Sequence, residues 1–239
     1  MKKTIITLMA LAGMACAADY TVENVWSADF GTAYQGGYQV NGSLTSVGTV
    51  WDVVAVEGGV QTSGDKRVHM AGGVYGSWAD DFEFSITLTL GDPISASNGW
   101  PVFAEVAGNG TSLRFGPYTN AGNYVSLDGS LEKGTTDTSF SVASGETYTV
   151  TLTKIGTALT LAVDGTVVSN GTLNGNVSGN ITDIALGGNT TNGYRINETV
   201  HSISYGLVTA AESPVVPEPA TATLSLLALA GLAARRRRK

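Results

Sequence analysis

Phe82-Glu83-Phe84-Ser85-Ile86-Thr87-Leu88-Thr89-Leu90 constrains this chain more than any other stretch. Every second residue is apolar and every intervening one is polar. Only a β-strand sends alternate side chains to opposite faces, so these nine residues predict a strand with one buried and one wet face. Tyr148–Thr153 and Leu159–Val163 repeat the pattern. Asp164-Gly165 joins the second of these to Thr166–Ser169, and an Asp-Gly pair between apolar runs predicts a type I′ hairpin, whose two central residues need φ > 0. Further strands are expected at Val68–Met70, Pro101–Val106, Ser112–Phe115, Tyr124–Leu127, Ser139–Val142, Ile181–Leu186 and Val200–Leu207. No helix-period, charged segment competes with them. The expected fold is all-β: two antiparallel sheets stacked as a sandwich or jelly roll, with an N-terminal leader helix and a short C-terminal membrane helix. The 31 glycines among 239 residues suit its many turns.

The two ends read as addresses. Lys2 and Lys3 precede an apolar run from Ile5 to Met14, and Ala15-Cys16-Ala17 supplies small residues for cleavage between Ala17 and Ala18. That is the layout of a secretory signal peptide over residues 1–17, to be cut by signal peptidase. The lone cysteine, Cys16, falls inside it, so the processed chain has no thiol for a disulfide or a metal. At the other end Pro214, Pro217 and Pro219 make residues 209–219 an extended linker. Residues 220–239 follow as an uncharged stretch to Ala234 and then Arg235-Arg236-Arg237-Arg238-Lys239. As a helix the apolar part measures about 22 Å, a short span whose basic end stays in the cytoplasm.

The order Val216-Pro217-Glu218-Pro219, apolar helix, arginine cluster resembles the PEP-CTERM sorting signal of Gram-negative bacteria. The resemblance implies that Pro217, Glu218 and Pro219 mark processing by an exosortase-like membrane protease. It also implies a precursor anchored in the inner membrane and a destination at the cell surface or in an exopolysaccharide matrix. Residues 18–208 would be the exported sandwich. Within them Tyr148–Lys154, Leu159–Gly165, Ser169–Leu173 and Ile184-Ala185-Leu186-Gly187-Gly188 resemble a laminin-G-like or concanavalin A-like domain. Members of that superfamily bind glycans or proteins, and some hydrolyse polysaccharides.

Charge narrows the partners. Residues 18–216 carry six cations against nineteen acids, a net of −13, which excludes a nucleic-acid surface. The catalytic strings of hydrolases with this fold are missing. Asp81 and Glu83 come nearest, about 6.7 Å apart on one strand face, but Ser85, Thr87 and Thr89 continue that face, as expected of a solvated surface. His69 and His201 have no second ligand at metal spacing, and His201 is expected to be half-buried on its strand. No cofactor is implied. Asp80, Asp81 and Asp128 are the acids that could hold a rim Ca²⁺, although no calcium-loop spacing surrounds them. For binding, Trp78 and Trp100, with Asn98 or Tyr118, are the candidate glycan platform; the alternative for the tryptophans is to cover the open ends of the sandwich. The expectation is an exported, non-catalytic sandwich that binds glycan or serves a matrix. A polysaccharide hydrolase and a protein-binding adhesin are the alternatives.

Overall fold

The structure is a computed structural model, and it describes residues 4–6, 20–30, 39–42, 53–62, 68–91, 102–118, 122–175, 177–186 and 198–210. The chain divides into two compact units, Met1–Thr209 and Ala210–Lys239. The first is an antiparallel sandwich of sixteen strands, and the described residues contain no helix. The larger sheet is built from β1 (Thr4–Ile6), β2 (Tyr20–Asp29), β3 (Gln39–Gly42), β4 (Val53–Val56), β5 (Gly59–Thr62), β7 (Phe82–Leu90), β11 (Leu131–Thr136), β12 (Thr147–Ile155), β13 (Ala158–Val163), β14 (Thr166–Leu173) and β16 (Glu198–Ala210). Its main order is β1-β2-β16-β7-β12-β13-β14-β11, with β3 beside β2, β5 beside β16 and β4 beside β5. The smaller sheet comprises β6 (Val68–Ser77), β8 (Ala104–Gly108), β9 (Thr111–Tyr118), β10 (Tyr124–Gly129) and β15 (Asn180–Leu186), in the order β10-β9-β8-β15-β6.

Alternation becomes layering through register. On the inner face of the large sheet one row runs Tyr205, Phe84, Leu152, Leu161, and the next runs Ile203, Ile86, Val150, Val163. Facing them across the core are Val106, Leu113, Phe115, Leu127 and Ile184 of the small sheet, all buried. The outer rows of the large sheet are polar: Gly206, Glu83, Thr153, Thr160, then Ser204, Ser85, Thr151, Ala162. A slip of one residue would exchange the two sets, so burial fixes the register. The predicted Asp-Gly hairpin is present, with Asp164 at φ 48° and Gly165 at φ 78°.

Two expectations change. Ser139–Val142 is not a strand; it makes one isolated bridge, Tyr124 to Ser141. The Asp137 carboxylate accepts hydrogen bonds from both the amide and the hydroxyl of Ser139, at 2.8 and 2.6 Å, and that local turn takes the place of a ladder. Within the expected leader, Thr4–Ile6 is extended and pairs with Tyr20–Val22 instead of forming a helix; all three residues are β-branched, which favours a strand at the open edge of β2. The rest of the leader and the whole C-terminal span, with Pro217, Glu218, Pro219, Ala17 and Ala18, lie outside the described residues. Among those described, no helix is long and apolar enough to cross a membrane.

Candidate functional site

The buried aromatics come first, because they decide which tryptophans are free to bind. Trp78 is 1% exposed, packs against Phe82 at 6.0 Å, and donates its indole N–H to the Gly108 carbonyl at 3.1 Å. Trp26 is equally buried among Tyr75, Phe84 and Tyr205, and donates to the Tyr75 carbonyl at 2.7 Å. A large ring whose one polar atom is satisfied inside is a core residue. Trp78 therefore offers no face to a sugar and drops out of the candidate platform. Trp100 and Asn98 lie outside the described residues. Tyr118 is half-exposed and packs against Tyr124, its ring tilted by 31° at 5.4 Å, on the other sheet.

The acids separate in the same way. Asp81 lies just ahead of β7; its Oδ1 accepts the Gly156 amide at 2.6 Å and meets Lys154 Nζ at 3.6 Å, so it fastens the β12–β13 turn. Lys154 also donates to the Asp80 carbonyl at 2.7 Å and lies 5.7 Å from the Phe82 ring centre. Asp128 is bound to Lys133 at 3.0 Å. No group of three or more His, Cys, Asp or Glu among the described residues could hold a metal ion. His201 is half-buried, as expected, but it occupies the bulge between Val200 and Ser202. Its Nδ1 lies 2.6 Å from the Gly58 carbonyl and its Nε2 2.7 Å from the Thr89 hydroxyl. A carbonyl can only accept, so Nδ1 carries a proton.

Glu83 differs from Asp81 and Asp128. It is 7% exposed, on the outer face of β7, and no cation among the described residues pairs with it. The hydroxyls of Tyr20 and Thr153 both donate to its Oε2, each at 3.3 Å, long for hydroxyl donors. Its Oε1 has no hydrogen-bond partner among the described residues. Burial raises the Glu83 carboxyl above the usual range, and the two hydroxyls pull it partly back. Burial likewise raises the Tyr20 phenol, to which the neighbouring carboxylate adds.

Around Glu83 opens a depression of about 320 Å³ lined by Tyr20, Glu83, Ser85, Thr149, Thr151, Thr153, Thr160, Ala162, Asp164 and Gly165. Each strand supplies it by period two: β7 gives Glu83 and Ser85, β12 gives Thr149, Thr151 and Thr153, and β13 gives Thr160 and Ala162. The β13–β14 turn closes one end, where Asp164 Oδ1 accepts the Thr149 amide at 2.8 Å. Glu83 lies at the other end, level with the row four residues away, about 13 Å along the strands. Such a separation exceeds both carboxylate spacings used for glycoside hydrolysis, about 5–5.5 and 6.5–9.5 Å.

Sequence reasoning singled out Glu83 but not the residues around it. The Thr-x-Thr-x-Thr period of β12 carried that signal, since threonines alternating with core residues must share the outer face. Tyr20 had no such signal; it joins the site only because β2 returns beside β16.

Comparison with known proteins agrees at two levels. The sandwich is similar to the Trypanosoma rangeli sialidase in complex with sialic acid, at 14% identity and a TM-score of 0.51, over 75% of this chain and 30% of that one. It is also similar to the VIP36 exoplasmic/lumenal domain in its Ca²⁺/Man2-bound form (12% identity, TM-score 0.47, 81% and 92% covered). The Caenorhabditis elegans galectin LEC-6 follows (12% identity, TM-score 0.39, 59% and 90% covered). This chain spans only about a quarter to a third of the sialidase chains it matches. At these identities the likeness concerns the fold alone. No curated protein sequence matches the chain. Residues 215–239 match the PEP-CTERM protein-sorting motif, which marks this protein as exported and membrane-processed in a Gram-negative bacterium, with an exosortase as the implied protease.

Proposed function

We propose that this protein is a non-catalytic glycan-binding component of the cell surface or extracellular matrix, and that the sugar lies in the Glu83–Asp164 depression. One observation carries the reading: a nearly buried carboxylate keeps an oxygen free at the end of a trough walled by hydroxyls. Sugars present hydroxyls that both donate and accept. The Thr and Ser side chains match them in both senses, and Glu83 takes two donors from one ring. The trough, about 13 Å long, suits two or three linked rings. The sorting motif at residues 215–239 supports this reading, because an exported protein can meet polysaccharide outside the cell.

Glycan-array binding followed by calorimetry tests this. Thr151→Val, which exchanges a central hydroxyl for a methyl of equal size, is expected to weaken binding about three- to tenfold, the worth of one hydrogen bond. Unchanged affinity would remove the depression as the site, and an array without any bound glycan would leave only a structural role.

A further inference from the structure

We propose, resting on the glycan-binding reading, that the depression selects glycans bearing a free primary amine over neutral and acidic ones. Three observations lead there. Among the described residues the lining contains two carboxylates, Glu83 and Asp164, and no Lys, Arg or His. Glu83 is more than nine-tenths buried, yet receives only two long hydroxyl bonds, both on Oε2. Among the described residues, the lysines of the large sheet are already committed: Lys154 reaches Asp81 and the Asp80 carbonyl on the rim, and Lys133 holds Asp128.

A carboxylate drawn out of water without a counter-charge is costly, and among the described residues the fold supplies none here. A ligand can. A sugar ammonium donating to Oε1 forms a charge-assisted bond, about twice as strong as the bond a sugar hydroxyl would make. The Tyr20 and Thr153 hydroxyls then hold Oε2, so the group is aimed before the ligand arrives. Asp164, at the far end, uses one oxygen on the Thr149 amide and keeps the other end of the trough negative. A uronate or sialate would meet these two acids without a compensating donor of charge. The net −13 of residues 18–216 acts in the same direction at longer range.

The test compares four β-linked tetrasaccharides by calorimetry at constant salt: glucosamine, N-acetylglucosamine, glucose and glucuronate. The glucosamine tetramer is expected to bind the wild type at least tenfold tighter than either neutral one, with the uronate weakest. Glu83→Gln should erase the preference. Glu132→Gln, which removes the same charge from the exposed edge strand β11, should keep it. Equal binding of the amine and neutral tetramers overturns the inference, and so does a preference lost equally in both variants, which would mean diffuse attraction. The wild-type comparison decides alone should Glu83→Gln not fold. Neutral tetramers bound without amine preference overturn only the selectivity; binding of none of the four, together with a blank array, overturns the glycan reading as well.

Discussion

Two side chains show how much a single residue's surroundings decide. Trp78, in a Gly- and Ser-rich stretch, read as a possible sugar platform, but its neighbours in sequence said nothing of Phe82 and the Gly108 carbonyl that enclose it. Trp78→Ala is therefore expected to cost about 3–5 kcal/mol of stability in urea unfolding, rather than to act on binding alone. Glu83 was legible as an outward strand acid; its burial was not, because Tyr20 arrives from 63 residues away. Since burial raises its carboxyl, the native state holds a proton to higher pH than the unfolded chain does. Stability from this group is present below the ordinary glutamate range and lost as pH rises through the raised value. Thermal melting of wild type should thus fall across that window relative to Glu83→Gln, whose profile lacks this descent. Parallel profiles would contradict the stated burial effect.

The strands with strict alternation were readable to within a residue or two: Phe82–Leu90 coincides with β7, and Tyr148–Thr153 lies within β12. Elements without a period were not. Leu131–Thr136 has one buried residue followed by exposed ones, and it becomes a strand only because β14 offers it an edge. The candidate site fared likewise, since a depression is a property of several strands in register, and register across non-consecutive strands such as β16 and β7 is not written in any one of them. Two elements carry its shape. Asp164 has a positive φ and caps the Thr149 amide, so Asp164→Ala should cost about 2–3 kcal/mol by unfolding, while Asp164→Asn retains both features. On β16, Gly206 stands opposite Glu83, and a Cβ there would meet Val22 Cγ1 at 2.5 Å and the Glu23 carbonyl at 3.0 Å. The missing side chain lets β2 approach β16 closely at Val22 and Glu23, two and three residues after Tyr20.

For the molecule as a whole, the sorting motif at residues 215–239 accounts for export, and under the proposed function the sandwich carries the binding. Protein released from the cell surface is expected to have an intact mass lacking Met1–Ala17 and Arg235–Lys239; a species retaining the basic cluster would show that the tail remains as an anchor. Cleavage between Ala17 and Ala18, the expectation from the sequence, would leave Tyr20 in place, whereas trimming three residues further would remove it.

At the flank where β10 meets β14, the Ser126, Thr136 and Ser169 hydroxyls lie within 3.1 to 3.3 Å of one another in a chain, and the Leu127 amide reaches Ser169 at 3.4 Å. The small sheet's last strand is thereby stitched to the large one, leaving fewer open amides on that side. A second copy could not lengthen the small sheet by pairing with the Leu127 amide, because that amide already has its partner within the chain.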